Sequence, residues 1–236
     1  MSEELIINEN PQITDQSIVE RYTNFFVERF VYSVAELEDL NSEQRTHLML
    51  NILEALSYLI CDTDYLNLGN IKTVGNIINE SYEVPKGLRR IGVTAGTKAT
   101  FDPIAPNQIP NALNMLFYQY YHTWNEIDPF LREAMFNIKY MRIHPLEDGN
   151  KRSAKLILTA NLWKEGLAPV IITKEDTDEY YDFINSQDYD SFAEFLKQRS
   201  NIETNTMCGF YKSLKGMSLT ESVKDEDVKK LVLKIK

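Results

Sequence analysis

Glycine and proline, nine and eight in 236 residues, are the strongest breakers of helix and strand, and here seven of the seventeen crowd into one stretch. Pro85, Gly87, Gly92, Gly96, Pro103, Pro106 and Pro110 fall between Glu83 and Pro110. Long segments on either side carry apolar residues at helical spacing with few interruptions. Such a chain is built mainly of helices around one irregular insert. The spacing predicts helices over Gln16–Val34, Ser42–Ile60 with Asn41 and Gln44 as a capping box, Ile71–Ser81, Asn111–Glu126, Asp128–Met141, and Gly149 or Asn150 to Glu165 ending at Gly166. Further helices are predicted at Lys174–Ser186, Asp190–Ser200, Glu203–Lys215 and Val223–Lys234, with the first dozen residues a loose arm. Within the insert, Leu88–Thr94 and Thr97–Phe101 flank Ala95-Gly96 and read as a short β-hairpin.

Composition narrows the function. A hydrophobic fraction of 43% with 13 Tyr and 11 Phe is enough to build a core, and the length suits one large domain better than two. The formal charge of −10 argues against a nucleic-acid coat, which needs a basic face, so any phosphate chemistry has to come from a local cationic pocket. No apolar run has membrane-span length and the opening residues are acidic, from which no membrane partner and a cytoplasmic location are expected. Cys61 and Cys208 are too few for a disulfide framework or a zinc ribbon, and both are read as packing thiols. Of three histidines, His47 and His122 have no chemical company, and are assigned to solvent or the core edge.

The third, His144, opens the segment His144-Pro145-Leu146-Glu147-Asp148-Gly149-Asn150-Lys151-Arg152, which puts a base, acids, a turn and two cations before a helix that is apolar nearly all round. A helix buried in that way presents its polar residues at its N-terminal mouth, where unpaired N–H groups and the macrodipole attract phosphate. At about 100° per residue Lys151, Arg152 and Lys155 lie within a third of the circumference, and are expected to converge on one anion. Gly149 is read as the close-approach position, Asp148 as an oxygen ligand for Mg²⁺ on a polyphosphate or a helix cap, and His144 as a proton acceptor.

These residues resemble the signature of Fic domains: histidine, any residue, Phe, any residue, Asp or Glu, Gly-Asn-Gly-Arg, two free positions, Arg. The likeness covers roughly Ile71 to Gly166, and the Gly87–Pro106 stretch resembles the flap that holds a target segment over the histidine. It implies a Fic-type helical bundle with a short β-hairpin flap, a single domain over 1–236 with its core at about 71–166 and helical flanks at 16–60 and 174–236. The activity implied is transfer of AMP from ATP, with Mg²⁺, to a Tyr, Ser or Thr hydroxyl of a protein docked at the flap (about 87–106), or of the chain itself. On that likeness His144 is the general base, Asp148 the metal ligand, Gly149 and Asn150 the seat of the attacked phosphate, and Arg152 the holder of the polyphosphate.

Three positions depart from the signature. Leu146 stands for Phe, Lys151 for the second Gly, and Lys155 for the last Arg, which keeps charge but loses the planar fork. The related Doc proteins also carry a lysine at the position of Lys151 and transfer the γ-phosphate, so a Doc-like kinase is the alternative, together with the toxin and antitoxin pairing that goes with Doc. A degenerate Fic fold that only binds a nucleotide or a protein is the other. Ser222 and Glu226 match the first two elements of the family's inhibitory motif, with a Glu226 to Lys155 contact as its consequence; the other reading makes Ser222 an N-cap with Asp225 three residues on.

Overall fold

In the computed structural model, residues 15–35, 40–80 and 82–215 are described. The inhibitory motif at Ser222 and Glu226, the helix at Val223–Lys234 and the N-terminal arm lie outside the described residues. Eight α-helices are present among the described residues: α1 (Asp15–Ala35), α2 (Ser42–Cys61), α3 (Leu68–Ile78), α4 (Ile109–Tyr118), α5 (Pro129–Ile143), α6 (Asn150–Lys164), α7 (Thr177–Ser186) and α8 (Tyr189–Lys215). The fold is mainly α, as expected.

Local signals explain where several of these helices begin. Asn41 and Gln44 form the expected capping box on α2. A second box, Asn67 with Asn70, starts α3 at Leu68, three residues before the predicted start. In α1 the residues Tyr22, Phe26 and Phe30 recur at i, i+4 and i+8, are all buried, and present Phe26 edge-on to Trp163 of α6 at 5.2 Å. Helix α6 lies between α2 and α5, and α5 packs on α8. Every α6 residue except Lys151 and Lys164 is buried, so α6 is the axis of the bundle, as its all-round apolar pattern predicts.

Four expectations are corrected. The helix predicted over Asn111–Glu126 leaves α geometry at Gln119 for a π-turn through Thr123. That turn lets two successive tyrosines bond inward: Tyr120 donates to buried Glu133, and the Tyr121 hydroxyl accepts from the Leu66 N–H at 2.6 Å. The two helices predicted at Asp190–Ser200 and Glu203–Lys215 are one, α8. No Gly or Pro separates them, and the junction is pinned from inside by Ser200 donating to the Ala168 carbonyl at 2.7 Å and by buried Glu203 accepting from Arg29 (2.6 Å) and Tyr22 (3.2 Å). Cys61, the last residue of α2, is exposed rather than packed.

The fourth concerns the insert. No β-strand occurs among the described residues, and the predicted hairpin is two extended limbs with no ladder between them. Several backbone groups of the insert are bonded to the helical body instead. On one limb Gly87 N–H donates to Asn76 (2.8 Å) and Arg89 N–H to the Pro145 carbonyl (2.9 Å). On the other, Asn185 of α7 accepts from Thr100 N–H (2.9 Å) and donates to the Lys98 carbonyl (3.0 Å). A β-ladder is only one way to satisfy extended backbone, and here side chains of α3 and α7 and the Pro145 carbonyl do it.

Candidate active site

The polar segment 144–152 joins the end of α5 to the start of α6 and forms one wall of a cavity of about 260 Å³. Helix α5 ends at His144, whose N–H donates to the Tyr140 carbonyl at 3.0 Å with the residue at φ 53°, ψ 62°. This left-handed position is commonly glycine, and a side chain there costs about 1–2 kcal/mol. The conformation puts the imidazole on the cavity wall, with Nδ1 3.2 Å from the Met141 carbonyl. A proton on Nδ1 completes that bond and leaves Nε2 with its lone pair. Burial brings the His144 pKa down to about 4; the Met141 carbonyl and Asp148 oppose the shift, and the nearby Arg89 cation adds to it. The imidazole is therefore neutral at pH 7, as a proton acceptor must be.

The loop that follows is shaped by Asn150, Gly149 and Asp148. The buried Asn150 amide brackets the loop, accepting from Leu146 N–H and donating to the Leu146 carbonyl, each at 2.8 Å. Leu146 is 1% exposed, and a Cβ on Gly75 of α3 would lie 2.6 Å from its Cδ2, so Gly75 makes the room for this apolar anchor. Gly149 has φ 83°, and its missing Cβ would stand 2.7 Å from Ile78 Cδ1. The sequence places that glycine for the ligand's benefit; the structure shows that its immediate neighbour is α3. Asp148, with about half its side chain exposed, accepts from Gly149 N–H (2.6 Å) and from Arg152 (2.9 Å), while Asn79 at the end of α3 donates to its carbonyl (2.9 Å).

The three cations do not converge as helical geometry suggested. Lys151 is half-buried and lines the cavity. Arg152 also borders it but is 1% exposed, its guanidinium engaged by Asp148, by Asn79 Oδ1 and by the Ile78 carbonyl (both 3.4 Å). Lys155 is not among the lining residues: it is 2% exposed and donates from Nζ to the Ile172 carbonyl at 2.8 Å. Arg152 and Lys155 hold neighbouring segments onto α6, and Lys151 with the α6 N-terminus remains to face an anion.

Thr94, Ala95 and Gly96, from the stretch expected over the histidine, line the cavity with it. Sequence reasoning missed Tyr181 of α7, which completes the wall with its hydroxyl 3.4 Å from the Ala95 carbonyl, and the role of Arg89. Gly96, Lys151 and Tyr181 also border an adjoining cavity of about 380 Å³, which contains Lys98, Lys174 and Thr177. Arg89 is 3% exposed and donates to the carbonyls of His144 (2.6 Å), Ile91 (2.9 Å), Ile143 (3.3 Å) and Ile104, tying both limbs of the insert to the histidine's backbone. Nothing in the pair Arg89-Arg90 marks which one is buried. His47 and His122 are exposed, and among the described residues no group of three or more His, Cys, Asp or Glu could hold a metal ion. A single half-exposed carboxylate on this cavity still fits Mg²⁺ carried on a polyphosphate, which needs only one or two protein oxygens.

The bundle around the buried axial helix has the fold of solved Fic-domain structures. A Fic domain containing signaling protein from Bacteroides thetaiotaomicron superposes with a TM-score of 0.66 at 19% identity, over 90% of this chain and 95% of that one. Fic-1 from C. elegans superposes at 0.66 and 18% identity, over 87% of this chain and 66% of that one. At such identities the likeness is one of fold. Residues 65–162 match the Fic/DOC family model, and this segment belongs to that family. The chain is also 34% identical over 71 residues to a protein adenylyltransferase Fic of Nematostella vectensis, and 28% identical over 128 residues to protein adenylyltransferase fic-1 of Caenorhabditis elegans. These alignments cover 30% and 52% of this chain but only 17% and 25% of the relatives. No described helix is long and apolar enough to cross a membrane.

Proposed function

We propose that the chain is a Fic-type protein adenylyltransferase that moves AMP from ATP to a Tyr, Ser or Thr hydroxyl of a target protein. The observation that carries this reading is a neutral imidazole, fixed in one tautomer by Met141, beside the N-terminus of α6 in a cavity it shares with Asp148 and Lys151. In the proposed step His144 Nε2 takes the proton of the acceptor hydroxyl as its oxygen bonds to the α-phosphorus of ATP. The bond from that phosphorus to the β-bridging oxygen breaks, and pyrophosphate leaves. Charge growing on the phosphoryl oxygens faces the α6 N–H groups and Lys151, the kind of fixed electrostatic stabilisation on which phosphoryl chemistry depends. Asp148 is the residue to hold Mg²⁺, which would neutralise the polyphosphate when bound.

The same carboxylate lowers the cost of forming the imidazolium, opposing the effect of burial. The adjoining cavity, joined to the first through Gly96, Lys151 and Tyr181, offers room for the rest of the nucleotide. The acceptor segment is assigned to the open side of the insert, whose limbs have no ladder between them.

Lys151 supports a second reading. It borders both cavities where a glycine would leave space, so a nucleotide could lie reversed, with the γ-phosphorus at the histidine, as in Doc. ATP labelled separately at the α- and γ-phosphates, incubated with the protein, Mg²⁺ and cell lysate, tells the two apart. Transfer of α label that is lost in His144→Asn is the expected result; asparagine is used because it tolerates the left-handed backbone. Transfer of γ label alone makes the protein a Doc-like kinase, and nucleotide binding with neither label transferred makes it a binding module.

A further inference from the structure

Four of the six cations that line the other cavities of this protein are matched by acids, Arg152 by Asp148 among them. Arg29 of α1 pairs with Glu203 of α8, Arg199 of α8 with Asp176 at the start of α7, and beside the active site Lys98 pairs with Asp178. A cavity of about 540 Å³ behind the first limb of the insert breaks that pattern. Lys72 of α3 and Lys86, Arg89 and Arg90 of the limb line it, and no Asp or Glu does. Lys72, Lys86 and Arg90 are exposed, and among the described residues no carboxylate pairs with them. Arg89 forms the buried floor. Its bonds all go to carbonyl oxygens, which solvate the guanidinium without cancelling its charge. In a chain of formal charge −10, four cations around one concavity make a focused positive field.

We propose that this cavity docks an acidic segment of the acceptor protein, a proposal that rests on the transferase reading for the identity of its partner. Three exposed cations on two separate elements, spread over a concavity larger than one phosphate, match several carboxylates along a chain better than one compact anion. Leu88 and Pro110 add apolar wall, which suits a peptide with an apolar side chain between its acids. The place is also right for such a partner. The cavity lies at the foot of the limb that leads to Ala95 and Gly96, and Arg89 connects its floor to the backbone of His144. An acidic segment held here positions a neighbouring hydroxyl of the same protein along the insert toward the imidazole. Target choice would then depend on charge next to the acceptor as well as on the acceptor itself.

The test is direct binding, read without ATP. A fluorescein-labelled decapeptide of alternating Glu and Leu is titrated by anisotropy against the full chain at low salt, beside its Lys and Leu counterpart. The expected result is saturable binding of the acidic peptide only, weakened by salt and by about tenfold in a Lys72→Glu, Lys86→Glu, Arg90→Glu variant with an unchanged melting temperature. Lys197→Glu, on the exposed side of α8, should leave it unchanged. Should the triple variant fail to fold, Arg90→Gln and Lys86→Gln singly are expected to weaken binding by a few-fold each. Equal affinity for the protein and its variants, or no binding at all, overturns the proposal. So does tighter binding of inorganic triphosphate or of an oligonucleotide than of the peptide at the same cations, which assigns the cavity to free phosphate or to nucleic acid. Because no transfer is read, failure here is distinct from failure of the label-transfer experiment.

Discussion

Replacing His144 by asparagine should change how stability depends on pH, and by an amount that follows from the site. Burial brings the imidazole pKa from about 6.5 in the unfolded chain to about 4 in the fold. Between those values the unfolded chain binds a proton the folded one does not, so stability rises with pH across the window and is lost as pH falls through it. About 2.5 pKa units correspond to roughly 3 kcal/mol. Buried Glu133 works in the opposite direction. Burial raises its carboxyl to about 7, against the hydrogen bonds of Tyr120 and Asn161 and the charge of Arg132. The folded form then holds a proton that the unfolded chain releases, so that contribution is full below about 4.5 and is lost as pH rises through 7, again by about 3 kcal/mol. In the wild type the two slopes oppose each other between pH 4.5 and 6.5. The assay is urea unfolding at constant ionic strength from pH 4 to 8, taking the difference in free energy between wild type and variant so that other carboxylates cancel. The stability of His144→Asn relative to wild type should rise by about 3 kcal/mol on going from pH 7 to pH 4, and that of Glu133→Gln relative to wild type should rise from pH 4.5 to pH 8. A His144→Asn difference that stays flat with pH would refute the argument that the site holds this imidazole neutral.

Further outcomes follow from the same geometry. The acid limb of the transfer rate should fall near pH 4 to 5 rather than near 6.5, measured as kcat/KM against pH. Gly149→Ala meets both a φ of 83° and a Cβ 2.7 Å from Ile78, and should cost about 2 kcal/mol or more in urea unfolding along with most of the activity. Lys155→Gln should lower stability by about 1–3 kcal/mol by releasing the Ile172 carbonyl, while nucleotide affinity by calorimetry stays within a few-fold of wild type. Asn185→Ala removes the clamp on Lys98 and Thr100, and should speed amide exchange over residues 95–101 with little change in melting temperature.

The helices and the chemistry-bearing segment were legible in the sequence because both are local. The Asn41 box, the 3.6-residue recurrence of Tyr22, Phe26 and Phe30, and the run from His144 to Arg152 are set by neighbours along the chain. Tertiary structure decided which of those groups face the cavity. Lys155 shares a helical face with Lys151, yet the Ile172 carbonyl takes its ammonium, and the Asp148 carboxylate takes Arg152. Extended limbs at 86–101 were legible as a turn-rich insert, but a hairpin and two limbs clamped by Asn76, Pro145 and Asn185 have the same local pattern. Which of Arg89 and Arg90 is buried was settled by where the carbonyls of His144, Ile143 and Ile104 arrive in space. The sequence alone determined most of the helices, though not the continuity of α8 or the π-turn after α4, and the inventory of reactive groups, since backbone propensity and capping act over a few residues. Only the packed bundle determined the partners of each charge, since a polar side chain entering the core bonds to whatever acceptor the rest of the fold brings to it.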